Sequence, residues 1–295
     1  MANKEDLELL RKKAVKKIYT GIAITIVASI LVLVLSQNFD LLALPLIIGC
    51  ITTTIISFKD VSLFKNTYKK TIILELFKTM FESIKYEPNS GISRNTLDST
   101  RMIDTGDIYH SEDYVSAKYK NVAFEFSDVE IEEEYTDSDG DRHRVTIFKG
   151  QWYVFDFNKQ FKADLQVCEK GFANARRGSL FGANKFNKIQ LEDIEFNKEF
   201  NVYAQNSLDA FYVLTPKTME NIKELNNKVQ GKMLFCFINN KLHVGLHSGK
   251  NLFEPNLFKE INIEQNHKQA LEEIKMITHF IDILNLDNDL FRKGV

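Results

Sequence analysis

The sequence predicts an α+β protein in which an N-terminal two-helix transmembrane hairpin precedes a mixed, mainly antiparallel sheet domain with amphipathic helices. Two uncharged apolar runs near the N-terminus have the length of membrane-spanning helices. Beyond Ala117, apolar residues alternate with a period of two, as in strands. Further segments repeat apolar residues every three or four positions, as in helices with one buried face.

The apolar runs cover residues 18–35 and 39–58, and Asp40, at the edge of the second, is their one charged residue. The short turn "SQN" between them requires the two helices to run antiparallel. A cleaved signal peptide is the alternative for the first run. It is disfavoured because no small-residue cleavage site follows and a second apolar run comes at once.

Basic residues flank both runs: Lys4, Arg11, Lys12, Lys13, Lys16 and Lys17 come before the first, and Lys59, Lys65, Lys69 and Lys70 after the second. The connecting turn has no Lys or Arg. Because positive charge stays on the cytoplasmic side, we expect residues 1–17 to be a basic cytoplasmic N-terminus and the C-terminus to be cytoplasmic as well.

Small residues recur at every fourth position of both runs, at Gly21, Thr25 and Ser29 and at Gly49, Thr53 and Ser57. This spacing either lets the two helices pack closely or is incidental. The runs contain no buried ionisable residue, which disfavours a transporter formed by this chain alone.

Residues 59–86 show a helical repeat and are predicted to form a juxtamembrane helix, ended by Pro88 and Gly91. Lys65, Lys69 and Lys70 lie where they can contact anionic lipid, or they merely follow the charge rule for cytoplasmic flanks. Residues 87–295 are predicted to form the cytoplasmic α+β domain, beginning with an irregular polar connection up to Ser116.

Two strand patterns flank "TDSDGD", and its Asp139-Gly140 pair predicts a hairpin turn. Alternating Glu residues on the first strand can pair with Arg142 and Arg144 on the second. The alternating aspartates of the turn resemble a calcium loop. However, glycine comes before the sixth position, where it is needed, and Phe148 stands at the twelfth position, where a Glu ligand is needed.

The stretch "FKGQWYVFDFNKQFKADLQV" places Tyr153 and Phe155 on one strand face and Trp152 and Val154 on the other. Apolar residues on both faces predict a central strand that is covered on both sides. An aromatic ligand cage is the alternative, with Asp156 and Asn158 as its polar groups.

The loop from Gly171 to Lys185 is glycine-rich and basic but lacks the Gly-Lys-Ser/Thr ending of a phosphate loop. Its region offers candidate contacts to lipid headgroups or an acidic partner at Arg176, Arg177, Lys185 and Lys188. The alternative is a surface loop without a ligand.

The C-terminal part continues the α+β pattern. We expect helices near Ser207, after the Thr215 cap and from Ile263 to Leu286, and a hairpin turn at Asn239-Asn240.

Composition and residue spacing disfavour nucleic-acid binding, disulfide bonding and metal binding. The net charge of −2 disfavours nucleic-acid binding. The three scattered cysteines suggest buried free thiols. His243 and His247 lie on a predicted strand, where four residues span about 13 Å, too far for one metal ion. No metal or cofactor site is expected.

Four features resemble a family of bacterial membrane proteins known as domain of unknown function 3137: the hairpin, "DIYHSEDYVSAKYKNVAFEFSDVE", "FKGQWYVFDFNKQF" and "IQLEDIEFNKEFNVYAQNSLDAFYVLTPKTMENI". Ala117 departs from the glycine that the family favours. The resemblance implies the family's fold and a multi-pass location in the bacterial inner membrane. It also suggests a small LemA-type membrane protein as a partner, and it implies no reaction, cofactor or catalytic residue.

These observations favour a membrane-anchored binding, scaffold or sensor domain. One alternative is an enzyme acting on a membrane-proximal substrate, with its site in the Asp107–Asp113 loop or at Asp156 and Asn158. The other is an accessory subunit of a membrane complex.

Overall fold

The computed structural model describes residues 4–156, 164–172 and 186–286. The helices of these ranges are α1 Lys4–Ser36, α2 Ala43–Tyr68, α3 Leu74–Met80, α4 Arg94–Thr100, α5 Ile194–Glu199, α6 Ser207–Val213, α7 Pro216–Lys228 and α8 Ile263–Ile283. The strands are β1 Glu82–Glu87, β2 Ile108–Tyr119, β3 Val122–Thr136, β4 Arg142–Asp156, β5 Leu165–Glu169, β6 Asn187–Ile189, β7 Phe200–Ala204, β8 Lys232–Ile238 and β9 Lys241–His247. The chain divides into two compact units, one of Met1–Leu76 with Phe253–Leu271 and the other of Phe77–Leu252 with Glu272–Val295.

The first unit contains the apolar hairpin, which is formed by α1 and α2. A short 3-10 turn at Phe39–Leu42 joins the two helices, and the Asn38 side chain caps this turn by accepting a 2.9 Å hydrogen bond from the Asp40 N–H. Both helices are long and apolar enough to cross a membrane. Their most apolar windows are almost entirely unburied.

A π-helical turn, Lys69–Ile73, connects α2 to α3. Buried side chains recur every four residues before and within this turn, at Phe64, Tyr68 and Ile72. Four residues of a regular α-helix overshoot a full turn by about 40°, so this spacing rotates steadily away from one face. The wider π turn compensates for that rotation.

The predicted helix over residues 59–86 is wrong at its C-terminal end. The helical run stops at Met80, and residues 82–87 form β1. Ser83 lies within β1 at a φ of +52°, where the register shifts between Glu82 and Lys85, and β1 pairs with β2 so that Tyr86 lies opposite Val115. Strand pairing therefore overrides the local helical pattern.

The predicted irregular connection up to Ser116 is also wrong, because it contains α4 and most of β2. Ser93 caps α4 by accepting a 3.2 Å hydrogen bond from the Thr96 N–H. Within β2 the register shifts between Glu112 and Val115, and Asp113 has a φ of +58°. This bulge interrupts the alternation that identifies a strand in a sequence.

The second unit is built on one nine-stranded sheet in the order β1-β2-β3-β4-β9-β8-β5-β7-β6. The α+β class is confirmed. Every strand pair in the described residues is antiparallel, so the sheet is not mixed.

Apolar side chains cover both faces of the central strand β4, as its residue pattern predicts. On one face, Trp152 and Val154 belong to a buried cluster with Phe148, Leu97 and Met102. On the other face, Tyr153 and Phe155 stack on each other and pack against Phe280 of α8. Trp152, Tyr153 and Phe155 are no more than 1% exposed. The aromatic run is therefore the centre of a sheet.

Several predicted boundaries are confirmed by local contacts. Thr215 caps α7 by accepting a 3.2 Å hydrogen bond from the Thr218 N–H, and Pro216 is the first helical residue. The β8–β9 turn places Asn239 and Asn240 at positive φ, and Gly140 does so in the β3–β4 turn. Helix α8 begins at Ile263 but ends at Ile283, three residues earlier than predicted.

Candidate functional site

The apolar hairpin exposes a continuous set of large hydrophobic side chains. On α1 they are Tyr19, Ile22, Ile24, Ile26, Val27, Ile30, Leu31, Val34 and Leu35, and on α2 they are Leu44, Leu46, Ile47, Ile48, Ile51, Ile55, Ile56 and Phe58. All of them are at least 45% exposed within the described residues. An exposed apolar surface of this extent marks a membrane or partner interface.

Small residues bring the two helices of the hairpin together. A Cβ atom at Gly21 would lie 2.6 Å from Thr53 Cγ2, and one at Gly49 would lie 2.7 Å from Thr25 Cβ, so neither position can hold a larger residue without movement. The hydroxyls of Thr25 and Ser57 donate to carbonyls of their own helices, at 2.9 and 2.7 Å. Close packing is therefore the role of these small residues.

At the basic end of the hairpin, one acidic residue of α2 forms ion pairs with two lysines of α1. Asp60 of α2 is 5% exposed and forms ion pairs with Lys13, at 3.0 Å, and with Lys17 of α1. Lys16 lies between them in sequence, is exposed and forms no ion pair with any described residue. The three lysines and one carboxylate leave two positive charges here.

The segment Phe253–Ile261 packs against the same unit through a second set of charges. Glu254 accepts from the ammonium groups of Lys65 and Lys69, both at 2.5 Å. Burial raises the pKa of the Glu254 carboxyl, but the hydrogen bonds from the two lysines outweigh this, so the pKa lies below its usual value. Glu254 is therefore ionised at neutral pH.

The N-terminal part of α1 holds the same segment by a further pair. Arg11 donates to the Glu8 carboxylate, and its Nη1 also donates to the Leu257 carbonyl at 3.1 Å. The Ile261 N–H donates to Glu8 at 3.3 Å. Glu8 and Arg11 are both 9% exposed. These buried charges fix the loop to the helix because each has its partner.

The sequence-predicted basic residues fall into different environments. Lys65 and Lys69 both pair with Glu254, and Lys69 is only 3% exposed, so its ammonium group is turned away from solvent. Lys70 is exposed, and Lys188 is exposed on the edge strand β6. Arg176, Arg177 and Lys185 lie outside the described residues.

Asp60, Glu254 and the Glu8–Arg11 pair were missed by the sequence patterns. The pairing of Asp60 with Lys17 could have been predicted from the hairpin geometry. In an antiparallel hairpin with its turn at residues 36–38, Lys17 and Asp60 lie about equally far from the turn and hence at the same level. Glu254 has no such signal, because 189 positions separate it from Lys65.

Two adjoining cavities run along the outside of the hairpin. One, of about 330 Å³, is lined by Lys13, Lys16, Lys17 and Thr20 together with four residues that also line the other, of about 420 Å³. The shared residues, Gly21, Ile24, Thr53 and Ile56, define what we call the hairpin groove. The groove is apolar along its length and has lysines at one end.

The carboxylates suggested for an enzymatic site are spread along the sheet of the second unit. Asp107 immediately precedes β2, and its Oδ2 accepts a 2.9 Å hydrogen bond from the Glu134 N–H. Asp113 is fully buried at the β2 bulge and accepts a 2.5 Å hydrogen bond from Tyr86. Asp156 is the exposed last residue of β4. Along the strand it lies five residues, or about 17 Å, from Gln151, which is buried in the middle of the sheet. Asn158 lies outside the described residues.

Asp128 is a buried carboxylate that the sequence did not single out. It accepts from Gln151 Nε2 at 2.9 Å and from the Leu252 N–H at 2.6 Å. Burial raises the pKa of Asp128 well above its usual value, the Gln151 hydrogen bond opposes this, and the Asp113 charge adds to it. Both oxygens are used to join β3, β4 and the chain after β9, which is a structural role.

The histidines and the acidic turn also have local partners. His243 Nδ1 accepts from the Trp152 indole N–H at 3.4 Å, and His247 Nδ1 accepts from the Lys149 N–H at 3.0 Å. In the β3–β4 turn, Asp137 Oδ1 accepts from the backbone N–H groups of Asp139 and Asp141. All three cysteines are free; Cys168 and Cys236 are buried, whereas Cys50 is exposed on α2.

Comparison with known proteins supports the predicted family. Residues 146–286 match the family model described as "Protein of unknown function (DUF3137)", which confirms the resemblance over that range. No curated protein matches the chain. Among solved structures, the crystal structure of the mycobacterial trehalose monomycolate transport factor A, TtfA, is similar at 11% identity with a TM-score of 0.41, covering 73% of this chain and 93% of that one.

Proposed function

Taking residues 146–286 as a DUF3137 domain, we propose that the protein is a membrane-anchored binding, scaffold or sensor protein. In this proposal the apolar hairpin spans the bacterial cytoplasmic membrane and both termini lie in the cytoplasm. The observation that carries the proposal is the large apolar surface of α1 and α2, which is exposed over the length of a bilayer core. In water such a surface would drive aggregation.

The charge distribution supports the orientation. Lys13, Lys16 and Lys17 lie at one end of the hairpin, and the turn at the other end has no basic residue. Positive residues near short loops are retained on the cytoplasmic side. The second unit, which follows the hairpin, is then a cytoplasmic domain, and any protein partner, including a small membrane protein of the LemA type, would meet it there.

An alternative is an enzyme that acts on a membrane-proximal substrate. The separation of Asp107, Asp113 and Asp156 along the sheet gives these three carboxylates no shared site. An accessory subunit of a membrane complex is a further alternative, and it would use the same anchor.

Fusions of two reporters test the anchor and its orientation. Green fluorescent protein fused after Val295 should fluoresce, and alkaline phosphatase fused there should be inactive, because the C-terminus is cytoplasmic. The opposite pattern is expected for fusions after Asn38 in the hairpin turn. The full chain should also stay in the membrane fraction after an alkaline carbonate wash. An active phosphatase after Val295, or release by the wash, would contradict the proposal.

A further inference from the structure

We propose that the lysine end of the hairpin groove is a binding site for one anionic phospholipid. The phosphate is held by Lys13, Lys16 and Lys17, and one acyl chain lies along the groove past Gly21, Ile24, Thr53 and Ile56. This inference rests on the proposed function, since it places the lysines at the cytoplasmic leaflet.

The charge of the site argues for an anionic ligand. Asp60 is buried and holds Lys13 and Lys17 beside each other, so these two ammonium groups are positioned before a ligand arrives. Lys16 has no ion-pair partner among the described residues, and it is the cation with most to gain from a phosphate. Two positive charges remain after Asp60 is counted, more than enough to neutralise the single negative charge of a phospholipid phosphodiester.

The shape of the site argues for a lipid and against a free phosphate. The cavity beside the lysines continues into the apolar cavity of about 420 Å³, which runs toward Pro45. A free phosphate would use the lysines and leave the apolar part empty. Basic pockets between membrane helices on the cytoplasmic side bind anionic lipid headgroups for the same reason.

A second copy of the chain is disfavoured as the occupant. Placed in parallel orientation, it would bring its own Lys13, Lys16 and Lys17 to the same level, so that like charges would face each other. A helix from another membrane protein is the competing occupant, and copurification distinguishes it from a lipid.

Native mass spectrometry of the full chain in neutral detergent micelles tests the site. With added phosphatidylglycerol, we expect one tightly retained lipid per chain, and with phosphatidylcholine at the same concentration much weaker retention. Lys16→Gln should weaken phosphatidylglycerol binding about fivefold, the effect of one lysine near an anionic surface. The matched control is Lys12→Gln, which removes the same charge one turn away from the groove and should change binding little.

The apolar half of the site has its own pair of variants. Ile24→Trp fills the groove and should reduce retention, whereas Ile22→Trp adds the same side chain at a position that lines neither cavity and should not. Glycerol phosphate, which carries a phosphate group without an acyl chain, should not compete at equal concentration. Thermal unfolding of each variant checks that the hairpin still folds.

Several results would overturn the lipid site. These are equal effects of Lys12→Gln and Lys16→Gln, equal retention of both lipids, effective competition by glycerol phosphate, or a stoichiometric copurified protein that lipid does not displace. Each outcome is separable from failure of the anchor, because a chain released by carbonate can still be scored for lipid binding in micelles, and an anchored chain can still lack the site.

Discussion

At the residue scale, a buried histidine is placed against the single tryptophan of the chain. His243 is 4% exposed, and its Nδ1 accepts the Trp152 indole proton. This contact requires the neutral imidazole with its proton on Nε2, because a protonated ring would turn a donor toward the indole N–H. Burial, with a smaller contribution from the Lys241 charge, lowers the pKa of His243 to about 4.

The lowered pKa predicts a pH dependence of stability. Between about pH 6.5 and pH 4 the unfolded chain binds a proton at His243 that the folded protein does not bind, so this residue destabilises the fold as the pH falls. The full effect is about 3 kcal/mol in the free energy of unfolding near pH 4. His243→Gln, which keeps an acceptor but does not titrate, should remove this part of the pH dependence.

Fluorescence of Trp152 provides the measurement, in denaturant titrations of the full chain in micelles at several pH values. The folded wild-type protein should also show a fluorescence change with a midpoint near pH 4, and the variant should not. Identical pH profiles for the two proteins would show that His243 is not the titrating group.

At the element scale, one glycine allows β4 to pass close to the end of β9. Gly150 has a φ of +151°, and a Cβ atom there would lie 2.8 Å from the Ser248 backbone nitrogen and closer still to the Leu246 carbonyl oxygen. These are backbone atoms, which cannot move aside as a side chain can. The close approach occurs beside the buried Phe148–Trp152 pair.

We therefore expect Gly150→Ala to lower the free energy of unfolding by roughly 2 to 3 kcal/mol more than Gly140→Ala does. Gly140 is the matched control, because it also has a positive φ, +89°, but a Cβ atom there would meet nothing within 4 Å. Both variants carry the cost of a positive φ, so their difference isolates the close contact. Equal losses in denaturant unfolding would contradict this account.

Local sequence signals account for some elements and fail for others. The Thr215 cap, the Asn239-Asn240 turn and the alternating aromatic residues of β4 were predictable because each signal depends on neighbouring residues. β1 and β2 were missed because Asp113 and the adjacent bulge break the alternation, and because β1 gains its conformation from pairing with β2.

At the scale of the whole molecule, the sequence predicts the apolar hairpin and its basic end. It does not predict that the segment Phe253–Ile261 packs against residues of α1 and α2. From the sequence, Lys65 and Lys69 were interpreted as contacts to anionic lipid or as charges that follow the rule for cytoplasmic flanks. Their partner, Glu254, comes from a loop near the other end of the chain. No periodicity or spacing links such distant positions, and only the folded chain brings them together.

Glu254→Gln should weaken the packing of the segment Phe253–Ile261 against Lys65 and Lys69. The buried Lys69 would lose the Glu254 carboxylate, at a cost of about 2 kcal/mol, below that of a fully buried pair because Lys65 and Glu254 are partly exposed. Hydrogen exchange of the amides in Phe253–Ile261 should accelerate accordingly.

Lys259→Gln is the control for this segment, since Lys259 is exposed and the loss of its charge should leave exchange unchanged. An unaltered exchange rate in Glu254→Gln would show that Arg11 and Glu8 alone hold the segment.

The return of Phe253–Ile261 to α1 has a practical consequence for preparing the protein. The family match, residues 146–286, contains this segment, whereas Glu8, Arg11, Lys65 and Lys69 precede the match. A shortened chain that begins at Phe77 would therefore leave Glu254, the Leu257 carbonyl and the Ile261 amide stripped of their partners. Detergent-solubilised protein that retains its first 76 residues is accordingly the form in which to purify and assay it.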